Sequence, residues 1–116
     1  MKLRIKRVYE GYSEDDGYRI LVDRLWPRGV KKEDLTYDVW AKDIAPSNEL
    51  RKWFGHDPKK WNEFQKRYYE ELDENKDLVQ RIISDSGSDK FTLIYSAKDT
   101  VHNQAVVIKK YIEDEF

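Results

Sequence analysis

Two short polar clusters hold most of the side chains able to do chemistry. The first, Asp23-Arg24-Leu25-Trp26-Pro27-Arg28-Gly29, follows directly on the apolar run Ile20-Leu21-Val22. The second, Lys98-Asp99-Thr100-Val101-His102-Asn103, comes soon after Phe91-Thr92-Leu93-Ile94-Tyr95. A guanidinium held in a Pro/Gly-bounded turn is preorganised for oxyanions, which makes Arg28 the foremost binding candidate. Arg24 and Lys98 would add positive charge, and the Trp26 indole would cover a bound molecule. Asp23, Asp99 and His102 are the acid–base candidates, because a neutral imidazole near a helix amino terminus serves as a hydrogen-bond partner or base. Asn103 and His56 complete the ligand-binding set. Each group also has a structural reading. Asp99 suits a helix cap, Asp23 and Arg24 an ion pair closing a strand end, Trp26 the core, and His56 the last carbonyls of a preceding helix.

The elements around these clusters decide whether they meet. Short unbroken apolar runs such as RILVD and FTLIY are the pattern of strands covered on both faces. Helical segments between them imply a crossover, so the two strands are expected to be parallel neighbours. Ligands in open α/β sheets sit beyond the carboxyl ends of the strands, and parallel pairing would bring both clusters to that edge. Lys2 to Tyr9 alternates, with Leu3 and Ile5 inward and lysines outward, as in a half-exposed strand. Glu10–Gly17 is too short for a parallel crossover, which predicts that the first two strands run antiparallel. Leu35, Tyr37 and Val39 alternate in a short extended piece at the sheet edge.

Ser47 caps a helix that Gly55 stops. Asp57-Pro58 starts the next, with Trp61, Phe64, Tyr68 and Leu72 on one stripe. A third helix carries Leu78, Val79, Ile82 and Ile83 to Ser86-Gly87. The last is expected to be capped by Asp99 or Thr100, with Val101, Ala105, Ile108 and Ile112 as its apolar face. That cap puts His102 and Asn103 in a first turn whose open N–H groups attract anions. The acidic runs Glu14–Asp16 and Glu70–Asp77 read as solvated surface.

These elements predict one α/β domain over residues 1–116, with a mixed, mostly parallel sheet of three to four strands packed with helices. Four Trp, eight Tyr and four Phe supply much of the core, since each buried aromatic removes about 150–250 Å² from water. The chain has no cysteine, which excludes thiol nucleophiles, cysteine-ligated zinc, iron–sulfur clusters and disulfides. His56 and His102 lack metal-ligand spacing, no serine sits in a nucleophile elbow, and no glycine-rich phosphate loop is present. No metal and no cofactor are expected. Basic and acidic residues number 22 and 23, without the excess of a general nucleic-acid binder. No segment has the length and apolarity of a membrane span and none resembles a signal peptide, so a cytoplasmic protein without a membrane partner is expected.

Several segments together resemble the YeaO-like branch of the bacterial domain-of-unknown-function family 488. They are IKRVYE, DGYRILVDRLWPRGVKKEDL, WAKDIAPSNELRKWFGHDPKKW and SAKDTVHNQAVV, and they span nearly the whole chain. The resemblance implies one motif at Asp23, Arg24, Trp26, Pro27, Arg28 and Gly29. It implies others at Trp40 to Ser47, at Trp53 to Pro58, and at Lys98, Asp99, His102 and Asn103. Other branches carry a Cys-His pair near Val101-His102-Asn103, and this chain lacks that cysteine. The family implies no biochemical activity.

The reading these observations favour is a protein that binds an anionic, phosphate- or nucleotide-like small molecule at the carboxyl edge of its sheet. Whether Asp23, Asp99 and His102 catalyse any step is left open. A rival is an interaction module using Trp26, Trp40 and Trp53 as partner anchors. A weaker rival acts on nucleic acid through Lys31, Lys32, Lys59 and Lys60.

Overall fold

The FTLIY run lies inside the sheet, with a strand on each side and a packed layer on each face, as its apolar character requires. A computed structural model describes all residues from Met1 to Phe116. Its strands are β1 (Lys2–Arg7), β2 (Tyr18–Leu21), β3 (Val39–Trp40) and β4 (Lys90–Tyr95), in the spatial order β1-β4-β2-β3. The helices are α1 (Asn48–Phe54), α2 (Trp61–Glu74), α3 (Lys76–Ser86) and α4 (Gln104–Glu115). β2 and β4 are parallel neighbours, Ile20 opposite Leu93 and Leu21 opposite Ile94. The extended piece near Val39 is the edge strand β3, parallel to β2.

All four strands are parallel, which corrects the expected antiparallel β1 and β2 and makes the sheet parallel rather than mixed. The crossover rule misled because β1 and β2 are not neighbours; β4 lies between them. Residues 8–17 return the chain across β4 through two 3-10 turns, Val8–Glu10 and Glu14–Asp16, with no room for a helix. Gly17 makes that return possible. Its φ is +66°, and a Cβ there would lie 2.5 Å from both the Cβ and the carbonyl oxygen of Lys90.

The two faces of the sheet are covered differently. Ile20, Val22, Phe91, Leu93 and Tyr95 join a core with Phe64, Tyr68 and Leu72 of α2 and Ala105, Ile108, Tyr111 and Ile112 of α4. Leu21 and Ile94 pack instead with Val8, Leu35, Trp26, Val30, Tyr37 and Trp40, so coil segments cover that face. The predicted caps of α1 hold: Ser47 Oγ accepts from Leu50 N, and Gly55 ends the helix in the left-handed conformation. Asp57 and Pro58 open a 3-10 turn, Pro58–Lys60, that leads directly into α2.

Two local expectations are corrected. Asp16 is buried, because its carboxylate binds the guanidinium of the equally buried Arg19 and sits 3.1 Å from Lys6 and 3.6 Å from Arg4. One carboxylate thus serves three cations on the coil-covered face, and only its neighbours Glu14 and Asp15 are exposed. Val101 is 61% exposed and precedes α4, whose apolar face is completed by Val107 and Tyr111.

Candidate functional site

β2 ends at Leu21 and β4 at Tyr95, so Asp23 and Ser96 emerge at the same carboxyl edge. α4 begins beside them. Its cap is Asn103, not Asp99 or Thr100: Asn103 Oδ1 accepts from Val106 N, and its amide donates to Asp99 O. Asp99 caps the preceding turn instead. Its Oδ1 accepts from the backbone N–H groups of Val101 and His102, both at 2.9 Å, and its Oδ2 lies 2.9 Å from His102 Nδ1. Those bonds, the backbone ones first, hold the Asp99 carboxyl down at about 2. The carboxylate fixes the imidazole, whose ring meets Trp61 edge-on at 5.2 Å. His102 Nε2 makes no hydrogen bond within the chain, and no hydroxyl is poised against it as a nucleophile.

Asp23 is the unusual member. Only 7% of it is exposed, and one oxygen, Oδ1, accepts from the Gln104 amide at 2.6 Å. The other, Oδ2, is fully buried and has no hydrogen-bond partner in the chain. Burial pushes this carboxyl up, against opposing influences from Ser96, Gln104 and the charge of His56. Ser96 turns its hydroxyl and backbone N–H toward the carboxylate and favours the charged form, yet no well-formed hydrogen bond reaches Oδ2. A buried polar oxygen without a donor is costly, and its presence at the rim of a sheet calls for an explanation.

The other sequence candidates divide between scaffold and rim. Arg24 pairs with no acid; its Nε donates to Pro46 O and one Nη to Ala45 O, which anchors the start of α1. Ser47 there is also held through N and Oγ by the Glu71 carboxylate. Trp26 donates to Val30 O and packs edge-on against Tyr37 and Trp40, on the coil-covered face. Trp40 donates to the Asp23 carbonyl, and Trp53 lies under Arg67 and Lys60, so each of these indoles is engaged within the chain. Arg28 and Lys98 are exposed, and neither side chain forms a hydrogen bond or ion pair. A relay ties their segments together: Tyr9 OH donates to Arg28 O, the Arg7 guanidinium lies 4.8 Å from the Tyr9 ring, and Arg7 donates to Ser96 O and Ala97 O. His56, also exposed, holds a left-handed φ of 57° just after α1.

The site therefore gathers Asp23, His56, Asp99 and His102 with three residues the sequence reading did not single out for it: Ser96, Gln104 and Trp61. Only the position of Ser96, one step beyond FTLIY, was a signal for it. Gln104 and Trp61 depend on where α4 starts and how α2 packs. No three metal-ligating side chains converge anywhere in the chain. No helix is long and apolar enough to cross a membrane. Two grooves lie away from this edge: one of about 590 Å³ at the amino ends of β1 and β4, and one of about 340 Å³ between α2 and α4.

Comparison with known proteins gives a consistent assignment. Residues 2–116 match the family described as the inactive DUF488-N3 subclade. The uncharacterized protein YeaO of Escherichia coli K12 is 44% identical over 112 residues, covering 97% of each chain. The uncharacterized protein Rv3073c of Mycobacterium tuberculosis is 38% identical over 111 residues, covering 96% of this chain and 93% of its own. The uncharacterized protein Mb3100c of Mycobacterium bovis matches to the same extent. No solved structure matches.

Proposed function

Because the chain belongs to the inactive DUF488-N3 subclade, in its YeaO-like branch, we propose that it binds a small molecule at the carboxyl edge of the sheet without transforming it. The observation that carries this reading is Asp23 Oδ2, a buried acceptor that lacks a donor. A ligand N–H or O–H would satisfy it once the side chains covering Oδ2 move aside to admit the ligand. Exposed Lys98 and Arg28, unpaired at the rim, would meet an anionic group on the same molecule. A nucleotide-like ligand combines both features, with donors on its base and charge on its phosphate.

The acid–base candidates take binding roles in this account. Asp99 orients His102, whose Nε2 is left to donate to or accept from the ligand. Nucleophilic catalysis by such a pair needs a hydroxyl or thiol held against Nε2, and no side chain of the chain occupies that role. Trp61, edge-on to His102, would form the apolar wall.

The test is calorimetric titration of the full chain with the four nucleoside 5′-monophosphates, with NMR monitoring of the ligand for chemical change. Saturable binding of at least one is expected, weakened roughly tenfold or more by Asp23→Asn or by Arg28→Ala with Lys98→Ala, since bonds to charged groups contribute about 1.5–3 kcal/mol. Product formation, or parent-like affinity in folded variants, would contradict it.

A further inference from the structure

The coil-covered face carries, at the opposite edge of the sheet, a charge arrangement that neither the core nor the carboxyl-edge site uses. Lys2 stands beside Lys90 in the parallel register, and Arg4 beside Thr92. The two lysines therefore leave neighbouring strands on one face, with backbones about 4.8 Å apart. Like charges side by side on adjacent strands are destabilising unless something neutralises them. The nearest buried acid, Asp16, is already shared among Arg4, Lys6 and Arg19. Asp15 offers Arg4 its carbonyl, and its carboxylate forms no ion pair. Neither lysine has an acidic partner, and exposed Glu14 and Asp89 nearby in sequence pair with neither.

The two unpaired lysines line a concavity. The groove of about 590 Å³ is bounded by Lys2, Arg4 and Lys90, with Asp15 on one wall; Leu3 and Phe91 line its floor by backbone, since their side chains pack into the helix-covered core. Gly17 shapes it, because the turn carrying Asp15 can press onto Lys90 only where no Cβ intervenes. We propose that this amino-edge groove is a second ligand site, for a small phosphate ester bearing two negative charges. Two ammonium groups arriving from two strands, beside an Arg4 guanidinium already held by Asp16 and the Asp15 carbonyl, match a tetrahedral dianion with several acceptor oxygens. The aliphatic stems of the exposed Lys2 and Lys90 give the organic part a place to lie. A long polyanion fits less well, since the Asp15 carboxylate stands on the groove wall.

The test is a titration of the 15N-labelled full chain with phenyl phosphate at fixed ionic strength. Expected are saturable shifts at the amides of Lys2–Arg4, Asp15–Gly17 and Lys90–Phe91, and roughly tenfold weaker binding in the Lys2→Gln/Lys90→Gln variant. Both lysines are exposed, so this variant keeps the parental fold and melts no lower than the parent. Unchanged affinity in that variant, or shifts spread evenly over surface lysines, would overturn the proposal. Shifts confined to Arg28, Lys98 and His102 would also overturn it while favouring the carboxyl-edge reading. A stronger, steeply salt-dependent response at the same residues to a short single-stranded oligonucleotide would replace the small ligand with nucleic acid and overturn it too.

Discussion

Asp23 and Asp16 are both buried carboxylates, and their surroundings give them opposite electrostatic characters. Burial raises the carboxyl of Asp23, which has one amide donor and an open oxygen. Its folded proton affinity exceeds the unfolded one, so its contribution to stability is full below about pH 4 and is lost as pH rises through the folded value. Melting curves of Asp23→Asn against the parent should therefore show the parent losing ground as pH rises above about 4; a gap independent of pH would contradict this. For Asp16, burial acts upward too, but the Ser13 N–H, Lys6 and Arg19 outweigh it and hold the carboxyl low. Its contribution is present above about pH 4 and fades as pH falls through the lowered folded value. Asp16→Ala leaves Arg19 buried without its counter-charge and should cost about 3–5 kcal/mol in denaturant unfolding, where a surface acid would cost almost nothing. Sequence alone could not separate the two. Glu14-Asp15-Asp16 looks uniformly acidic and solvated, and only the packing of residues 8–17 onto the sheet turns Asp16 inward.

At the scale of elements, legibility followed the range of the signal. Ser47, Gly55 and the Phe64–Tyr68–Leu72 stripe act within one or two turns, and their reading holds. Parallel pairing of β2 with β4 was also legible, because helices between two buried strands leave few other arrangements. The insertion of β4 between β1 and β2 was not, since nothing local to residues 8–17 reports a strand arriving some eighty positions later. The start of α4 was misplaced for a local reason. Asp99 forms the N–H bonds of a cap, yet they close a separate turn, and the helix waits for Asn103. Asn103→Ala should accordingly destabilise the fold by about 1 kcal/mol. Thr100→Ala should stay within about 0.5 kcal/mol, because its exposed hydroxyl makes no hydrogen bond. The reverse ranking in thermal or denaturant unfolding would restore Thr100 as the cap.

Across the whole molecule, the helices occupy one face of the sheet and coil the other, which leaves the two strand edges to different chemistry. The carboxyl edge brings Asp23, Gln104, Asp99 and His102 together around the start of α4, with exposed Lys98 just before Asp99 and the Arg28 carbonyl held by Tyr9. That Asp23 emerges at the same edge as the segment after β4 was readable from the sequence once parallel pairing was inferred, and the scaffold role of Arg24 was not. That guanidinium reaches back to carbonyls some twenty residues away, a contact without a local signature. The central claim is that the buried, unpaired Asp23 oxygen receives a ligand donor once its cover opens, and the carboxylate resonance of Asp23 reports on it most directly. In 13C-labelled protein titrated with the nucleoside monophosphate that binds best, that resonance should move saturably, in step with the Lys98 and Arg28 signals. A ligand that binds while the Asp23 carboxylate stays unmoved would contradict the account.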